Sequence, residues 1–296
     1  MKHIYLFIAC AASTIGLALP VQADTLDQIR EKGVIRLAHR DGSVPLSYVD
    51  ETGRPLGFSV EICNRLVSHL REQMKLPSLR IEWIKVSAAQ RMQMVKDNQA
   101  DMECGSTTNN AERRQQYMFT MPTYIAGIKI MSRQGVAAQN LTSLANKRVA
   151  ASAGTTAAKL LAISRKEGLV IDLVETKDHS QSWALLDSGQ VDAWLTDDVI
   201  LASYRAKSTK PQNYVLSDRF LSIEPYGFVM RQGDEAIVTI LNREISRMMR
   251  TGEFKRLYEI WFQQSVPGSN INLQLPMNEL LRAQVRSPSE VLPSTF

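Results

Sequence analysis

The chain has 296 residues, 44% of them hydrophobic, and a formal net charge of +5, and its length favours two domains over one. The basic surplus is small and spread along the chain, without the Lys- and Arg-rich runs of a nucleic-acid-binding protein, so we expect no nucleic-acid partner. Beyond the N-terminus no stretch approaches the roughly 20 apolar residues that span a bilayer, which excludes an integral membrane protein.

The chain begins with the three parts of a secretory signal peptide, residues 1–23. Lys2 supplies the positive start, residues 4–19 are mostly apolar, and Pro20 to Ala23 offer a small-residue cleavage site. The apolar run is shorter than a membrane anchor needs, and Cys10 lies too early for lipid attachment. We therefore expect export to the periplasm and a mature chain with a net charge of +4, because only Lys2 is lost among the charged residues.

Strand and helix patterns alternate through the first part of the mature chain. Thr25 is expected to cap a helix that ends at Lys32, with Gly33 as its stop. The elements that follow are a strand at 34–38, a hairpin-like turn at 48–56, a helix at 58–70, a strand at 79–86, a helix at 88–97 and a strand at 101–104. This order predicts an α/β unit with a largely parallel sheet.

The same alternation occurs a second time. Its elements are a strand at 147–152, a helix at 155–166, a strand at 170–175, a helix at 180–187 and a strand at 192–195. Asn98-Gln99-Ala100-Asp101 precedes the last strand of the first unit, as Gly189-Gln190-Val191-Asp192 does in the second, and Asn and Gly both suit a left-handed helix stop. A common connector used twice would explain four residues, but the matching elements on both sides favour two similar lobes.

Two further strands are predicted to join the lobes, one at 124–131 and a returning one at 221–230. Helices at 234–251 and 254–263 complete the first lobe. The predicted limits are lobe 1 at 24–125, lobe 2 at 126–221, a return to lobe 1 at 222–264, and a C-terminal tail at 265–296 that wraps loosely over the surface or is partly disordered. Two crossovers make a hinge and leave a cleft between the lobes, where ligand sites in such folds form.

Polar residues that follow the predicted strands point to this cleft. Asn109 and Glu112 have the spacing of a capping box, so a helix start is expected there that would attract a carboxylate. Arg113, one turn later, could add a bidentate grip, although an ordinary capped helix with Arg113 in a surface ion pair is the alternative. Asp197, at the end of a lobe 2 strand, suits an ammonium group, and Asp198 is expected to cap the next helix.

The mature chain contains two cysteines, Cys63 and Cys104. An oxidising compartment would permit a disulfide between them, but the spacing alone leaves this open. No nearby His or further Cys completes a zinc ligand set, so we expect neither a metal nor a cofactor.

These motifs resemble those of the family 3 solute-binding proteins of ATP-driven amino-acid (ABC) importers, and most of all their glutamate/aspartate-binding branch. The runs that carry the resemblance are Ala38-His39-Arg40 with Ser43-Val44-Pro45, Glu103-Cys104-Gly105-Ser106-Thr107-Thr108-Asn109-Asn110, Lys177-Asp178-His179 and Thr196-Asp197-Asp198. The resemblance covers essentially the whole mature chain. It implies an α/β, two-lobed periplasmic-binding-protein fold (type II) and a monomer without enzymatic activity that delivers glutamate or aspartate to an ABC importer permease in the inner membrane.

The resemblance also implies roles for single residues. Arg113, helped by Thr108 and the helix start at Thr155, matches the group that binds the ligand α-carboxylate. Ser106 and Asp197 match the acceptors of the α-ammonium group.

A second set matches the positions that receive the side-chain carboxylate in the acidic branch: Arg40, Arg91 and His179. Two more residues are expected to line the pocket: Tyr48 and Thr156. Ala88 departs from the branch, which often places there a serine that touches the distal carboxylate, so the balance between glutamate and aspartate could differ.

The charge of the predicted pocket favours an acidic ligand independently of the resemblance. Arg40, Arg91 and Arg113 face Asp197, a net of +2 to which His179 could add. A neutral amino acid would leave two arginines desolvated and unpaired, at a cost of about 2–5 kcal/mol. For Arg91, a solvated arginine on a helix surface is the alternative.

Two other functions remain open. An enzyme on the same fold, such as a dehydratase, would need a general acid or base, for which His39, His179 and Glu103 are candidates. A ligand-sensing module would need a separate receptor chain as its partner.

Overall fold

The computed structural model describes residues 24–269 and 271–292, so the predicted signal peptide lies outside the described residues. The strands are β1 Val34–His39, β2 Gly42–Ser43, β3 Ser47–Val49, β4 Pro55–Leu56, β5 Arg80–Lys85, β6 Met102–Glu103, β7 Tyr117–Phe119, β8 Tyr124–Arg133, β9 Arg148–Ser152, β10 Asp172–Thr176, β11 Ala193–Asp197, β12 Tyr214–Leu216, β13 Ser222–Tyr226 and β14 Val229–Arg231.

The helices alternate with these strands along the chain. They are α1 Thr25–Lys32, α2 Phe58–Met74, α3 Arg91–Lys96, α4 Ala111–Arg114, α5 Thr156–Lys166, α6 His179–Asp187, α7 Asp198–Lys207, α8 Glu235–Arg250, α9 Glu253–Tyr258 and α10 Glu279–Arg286, with 3-10 turns at Thr142–Leu144 and Pro211–Asn213 and a π turn at Glu259–Gln263. Among the described residues no helix is both long and apolar enough to cross a membrane.

One lobe is built on a five-stranded sheet in the order β5-β1-β6-β14-β7. The strands β5, β1 and β6 are parallel, whereas β14 runs antiparallel to both of its neighbours. Helix α8 turns Ile237, Leu241 and Ile245 toward the interior at a spacing of four residues, and all three are almost fully buried. A small separate sheet of β2, β3 and β4 lies in the same part of the chain.

The other lobe has the sheet order β10-β9-β11-β8-β12, and β13 also pairs with β8. Here β10, β9 and β11 are parallel, and β8 is antiparallel to its partners. A separate core of Ile130, Val149, Leu161 and Leu195 lies under this sheet. The prediction of an α/β, two-lobed fold is confirmed.

Two segments connect the lobes side by side. β8 leaves the first lobe, and β13 pairs with its first half, from Tyr226 opposite Tyr124 to Ser222 opposite Ile128. The single return strand predicted at 221–230 is two strands, β13 and β14, because Gly227 and Phe228 interrupt the pairing. The residue limits given above for the lobes stay a prediction.

The two copies of the connector have the predicted geometry. Asn98 follows α3 with a φ of 56° and Gly189 follows α6 with a φ of 80°, both in the left-handed region. Because positive φ costs Asn and Gly less than it costs other residues, both are well suited to end these helices.

Two local predictions differ from the structure, one at the start of α1 and one in the C-terminal tail. Asp24, rather than Thr25, caps α1 by accepting a hydrogen bond from the Asp27 N–H, and the buried Thr25 hydroxyl instead donates to Asp234 at 2.6 Å. The tail is not loosely packed throughout, because α10 buries Leu281 completely and Asn278 donates to the Ile125 carbonyl of β8 at 2.6 Å. The disulfide that the sequence left open is present and joins Cys63 of α2 to Cys104 after β6.

Candidate functional site

Three arginines from separate elements of lobe 1 converge between the lobes. Arg40 follows β1, Arg91 begins α3 and Arg113 lies in α4. Burial lowers the pKa of Arg40 and of Arg113 to about 10, and the next cause in each case is the charge of Arg91. Because one buried cation lowers the pKa of another only at short range, both Arg40 and Arg113 lie close to Arg91.

Arg40 is 1% exposed, yet most of its guanidinium is unpaired. Its Nε and Nη2 atoms have no hydrogen-bond partner among the described residues, although its backbone N–H donates to the Ser47 hydroxyl at 3.0 Å. Because a buried guanidinium without acceptors is costly, these donors mark a place for an anionic group.

Arg91 and Arg113 reach from lobe 1 to the same carbonyl of lobe 2. Arg91 donates to the Thr107 hydroxyl at 2.5 Å, to the Ala88 carbonyl and to the Gly154 carbonyl at 3.4 Å. Arg113 donates to the Thr108 carbonyl at 2.9 Å and to Gly154 at 3.4 Å. At 2% exposure Arg91 is not a solvated surface arginine, and no ion pair of Arg113 occurs in the described ranges.

The two lobes approach each other closely at Gly154. A Cβ there would lie 2.6 Å from the Ala89 Cα, and its φ of +76° favours glycine on its own account. The cleft is therefore closed at this point.

The expected helix start near Arg113 differs from the prediction. Asn110, not Asn109, accepts the Arg113 N–H at 3.0 Å, and Asn109 instead accepts from the Arg114 Nε at 2.7 Å. Glu112 is exposed and pairs with Lys159 across the cleft. Since α4 has only four residues, its backbone offers a carboxylate far less than a full helix does.

The second helix start has the predicted form. Thr155 caps the eleven-residue α5 by accepting the Ala158 N–H at 3.2 Å, while its own hydroxyl donates to the Ser152 carbonyl at 2.7 Å. The half-buried Thr156 is the first helical residue. The N-terminal dipole of α5 therefore lies next to Gly154, beside the arginines.

His179 is the first residue of α6 and is 2% exposed. Its Nδ1 lies 3.3 Å from the Ser152 hydroxyl. Burial, and then the charges of Arg40 and Arg91, hold the pKa of His179 well below its ordinary value. The imidazole is therefore neutral at pH 7 in this closed cleft and does not add the positive charge that the sequence suggested.

Asp197 faces the arginines from lobe 2 and is 8% exposed. It occupies the cap position of α7 without making a capping bond, and its Oδ1 has no partner among the residues described. The prediction that Asp198 caps α7 was wrong, because Asp198 is the first helical residue and accepts the Gly127 N–H at 3.2 Å. Burial, followed by the charge of Glu224, raises the pKa of Asp197 to about 7.

Sequence reasoning missed one acidic residue and misjudged another. Glu224 of β13 is 4% exposed and accepts the Thr108 hydroxyl at 2.6 Å. Glu103 is fully buried beside Arg40 and Arg91, and burial raises its pKa against their attraction. Three carboxyl groups, rather than the single one that the sequence predicted, therefore lie near the three arginines. A single Glu within the apolar strand 221–230 was the available signal.

The remaining predicted residues divide between this cluster and the lobe 1 core. Ser106 and Thr108, 9% and 4% exposed, flank the Thr107 that binds Arg91. Tyr48 is not brought to the arginines, because its hydroxyl donates to the Pro267 carbonyl and its ring packs against Trp261. Within the described residues no group of acidic, His and Cys side chains could hold a metal ion.

The site thus combines guanidinium donors, a helix N-terminus and carboxyl acceptors in a closed interlobe cleft. Residues 35–264 match the model of the bacterial extracellular solute-binding proteins, family 3. The chain belongs to this family.

Two relatives cover nearly the whole chain. The L-glutamate/L-aspartate-binding protein of Pseudomonas aeruginosa is 34% identical over 93% of this chain and 93% of its own length. The glutamate/aspartate import solute-binding protein of Escherichia coli K12 is 30% identical over 92% of this chain and 91% of its own length.

The solved structures that share this fold have more varied names. An arginine-binding protein variant from T. maritima is 22% identical with a TM-score of 0.71, covering 80% of this chain and 98% of its own. An ancestral amino-acid-binding protein, described as a precursor of cyclohexadienyl dehydratase, is 26% identical with a TM-score of 0.68 over 80% and 99% of the two chains. The two curated relatives are named as binding proteins, whereas the description of this structural neighbour relates it to an enzyme.

Proposed function

We propose that this family member is a periplasmic, monomeric protein that binds glutamate or aspartate between its lobes and passes it to an ABC importer permease. The observation that carries the proposal is the buried guanidinium of Arg40, whose Nε and Nη2 atoms have no partner within residues 24–269 and 271–292, while Arg91 lies beside it. The names of the two full-length relatives support the same ligands.

The ligand α-carboxylate is assigned to Arg113 and to the N-terminus of α5 at Thr155, with Thr108 holding Arg113 in place. The α-ammonium is assigned to Ser106 and to the unpaired oxygen of Asp197. Each of these contacts pairs a charge of the amino acid with a buried partner of opposite sign or with a hydrogen-bonding group.

The side-chain carboxylate is assigned to Arg40, Arg91 and His179, with Thr156 on the edge of the pocket. Because a neutral imidazole still has one N–H, His179 serves here as a hydrogen-bond donor rather than a charge. A neutral amino acid would leave the Arg40 donors unpaired, and this supports selectivity for the acidic ligands.

Release of an unchanged ligand is part of the proposal, since Glu103 and His179 are both used to hold charge or hydrogen bonds near the arginines. Incubating the protein with glutamate and with cyclohexadienyl carboxylates, followed by NMR of the small molecules, separates binding from dehydration. Any turnover would support an enzyme instead.

The decisive test is a thermal-shift panel of the twenty amino acids on ligand-stripped protein, with calorimetry on those that respond. A ligand that binds only the folded state raises the melting temperature. We expect glutamate and aspartate to raise it most, the amides less, and leucine not at all. A rise with leucine or arginine but not with the acidic pair would overturn the proposal.

A further inference from the structure

Glu224 and Asp197 face the same side of the lobe 2 sheet, one on each side of β8. Asp197 pairs with Ile128 of β8, and Ser222 of β13 pairs with the same Ile128 from the opposite edge. Directly paired residues share a face, and so do residues two apart on a strand. Glu224, two residues after Ser222, therefore lies on the Asp197 face.

Both residues are at least nine-tenths buried. Glu224 accepts hydrogen bonds from the hydroxyls of Thr108 and Ser222, while Asp197 has an oxygen without a partner among the described residues. The charged or titratable groups that face the pair are Arg91, Arg113, Tyr124, Asp198 and Tyr226. Asp198 adds to the negative charge, and the two arginines only partly offset it.

We propose that Glu224 is a further ligand-binding residue, which forms with Asp197 a two-carboxylate subsite for the ligand's ammonium group and makes ligand binding release a proton. This inference rests on the proposed function, because it takes an α-amino acid as the ligand. When the lobes close without an ammonium group beside Asp197, this residue retains a proton next to Glu224. The arriving ammonium replaces that proton, which leaves for the solvent, and then lies between two carboxylates.

The burial of Asp197 and the charge of Glu224 place the pKa of Asp197 at about 7 without ligand. An ammonium group beside it lowers that pKa, so the complex binds fewer protons than the free protein. Affinity must then rise with pH below about 7 and level off above it. His179 would act with the opposite sign, since its protonation at low pH would favour an acidic ligand.

The first experiment needs no variant. Calorimetric titration of the intact protein with glutamate at pH 6, in buffers of different ionisation enthalpy, counts the protons released on binding. We expect binding to release nearly one proton for each glutamate at pH 6 and far less than one at pH 8. The Kd should rise roughly tenfold from pH 7.5 to pH 6.

The second experiment uses Glu224→Gln, which keeps an acceptor for Thr108 but removes the charge. At pH 7.5 we expect glutamate to bind about tenfold more weakly, because the ammonium loses one charged partner. The pKa of Asp197 falls as well, so the Kd should change less than about threefold down to pH 6. The matched control is Glu175→Gln, the same change at an exposed strand position of lobe 2, which should behave as the unaltered protein.

Binding of glutamate without proton release at pH 6 would overturn the inference and leave the proposed function intact. So would a Glu224→Gln protein with the pH profile of its parent. Absence of glutamate and aspartate binding at every pH would instead contradict the proposed function itself.

Discussion

Arg40 and Arg113 occupy different parts of the cleft, and their losses should therefore have different consequences. Arg40→Met removes the unpaired guanidinium donors, so we expect glutamate and aspartate affinity to fall by about 2–5 kcal/mol, or roughly 30- to 4,000-fold, with a smaller effect on glutamine. Arg113→Ala should abolish binding of all three ligands, because every amino acid has an α-carboxylate. Calorimetry on the three ligands measures both effects.

The exposed Arg30, which pairs with Asp27 at the surface, offers the control Arg30→Met. Such surface pairs contribute little, so this variant should bind as its parent does. Equal losses for glutamate and glutamine in Arg40→Met would contradict the assignment of Arg40 to the distal carboxylate.

At the scale of single residues, the sequence located most of the cluster but not its charge balance. Arg40 and Asp197 each lie at the end of a strand, so their positions could be inferred from pattern, whereas Arg91 was expected only from the family resemblance. The buried Glu224 could not, because its neighbours in β13 read as an apolar strand and only packing shows which side it faces. The cap of α4 was misplaced by one residue because Asn109 and Asn110 are equally good cap formers.

At the scale of elements, the loop before α5 contacts the segment before α3 across the cleft. The variant Gly154→Ala tests whether this close contact is needed for closure. The added Cβ would lie 2.6 Å from the Ala89 Cα, so closure should be incomplete and glutamate affinity should fall about tenfold or more. The control Gly168→Ala has the same kind of backbone strain, at a φ of +101°, but no atom within 4 Å of its Cβ.

Both glycine variants should lose similar thermal stability, because alanine is strained at either φ. Only Gly154→Ala should lose affinity. Equal affinities for glutamate would show that this contact does not limit closure. Calorimetry and thermal unfolding of the two proteins in parallel provide the comparison.

Helix α10 was not predicted, because the tail around it is rich in Pro, Ser and Asn and its helical pattern lasts barely two turns. Its attachment depends on Leu281, which is fully buried, beside Leu280, which is 39% exposed. We expect Leu281→Ala to lower the free energy of unfolding by about 2–5 kcal/mol and Leu280→Ala by far less. Urea unfolding measures both, and equal small losses would mean that α10 contributes little to lobe 1.

At the scale of the whole molecule, the two lobes were predictable because the chain repeats one pattern of strands and helices on either side of two crossovers. The state of the cleft was not, because interlobe contacts join residues far apart in sequence. Ser203 of α7 donates to the Val44 carbonyl at 2.7 Å, and Tyr204 donates to the Gly42 carbonyl at 3.1 Å. These bonds stabilise the closed form without touching the arginines.

Closure and recognition should therefore be separable. Tyr204→Phe removes a hydrogen bond that exists between the lobes only when they are closed, so ligand binding should weaken by about 0.5–1.5 kcal/mol, or roughly 2- to 12-fold. The loss of affinity should be the same for glutamate and aspartate, because binding of either ligand depends on the same equilibrium between open and closed lobes. In the control Tyr214→Phe, the lost hydroxyl bonds Asp187 within lobe 2, and affinity should not change. X-ray scattering should show a larger radius of gyration for ligand-free Tyr204→Phe than for the unaltered protein. A changed preference between glutamate and aspartate would instead mean that Tyr204 acts on ligand recognition rather than on closure.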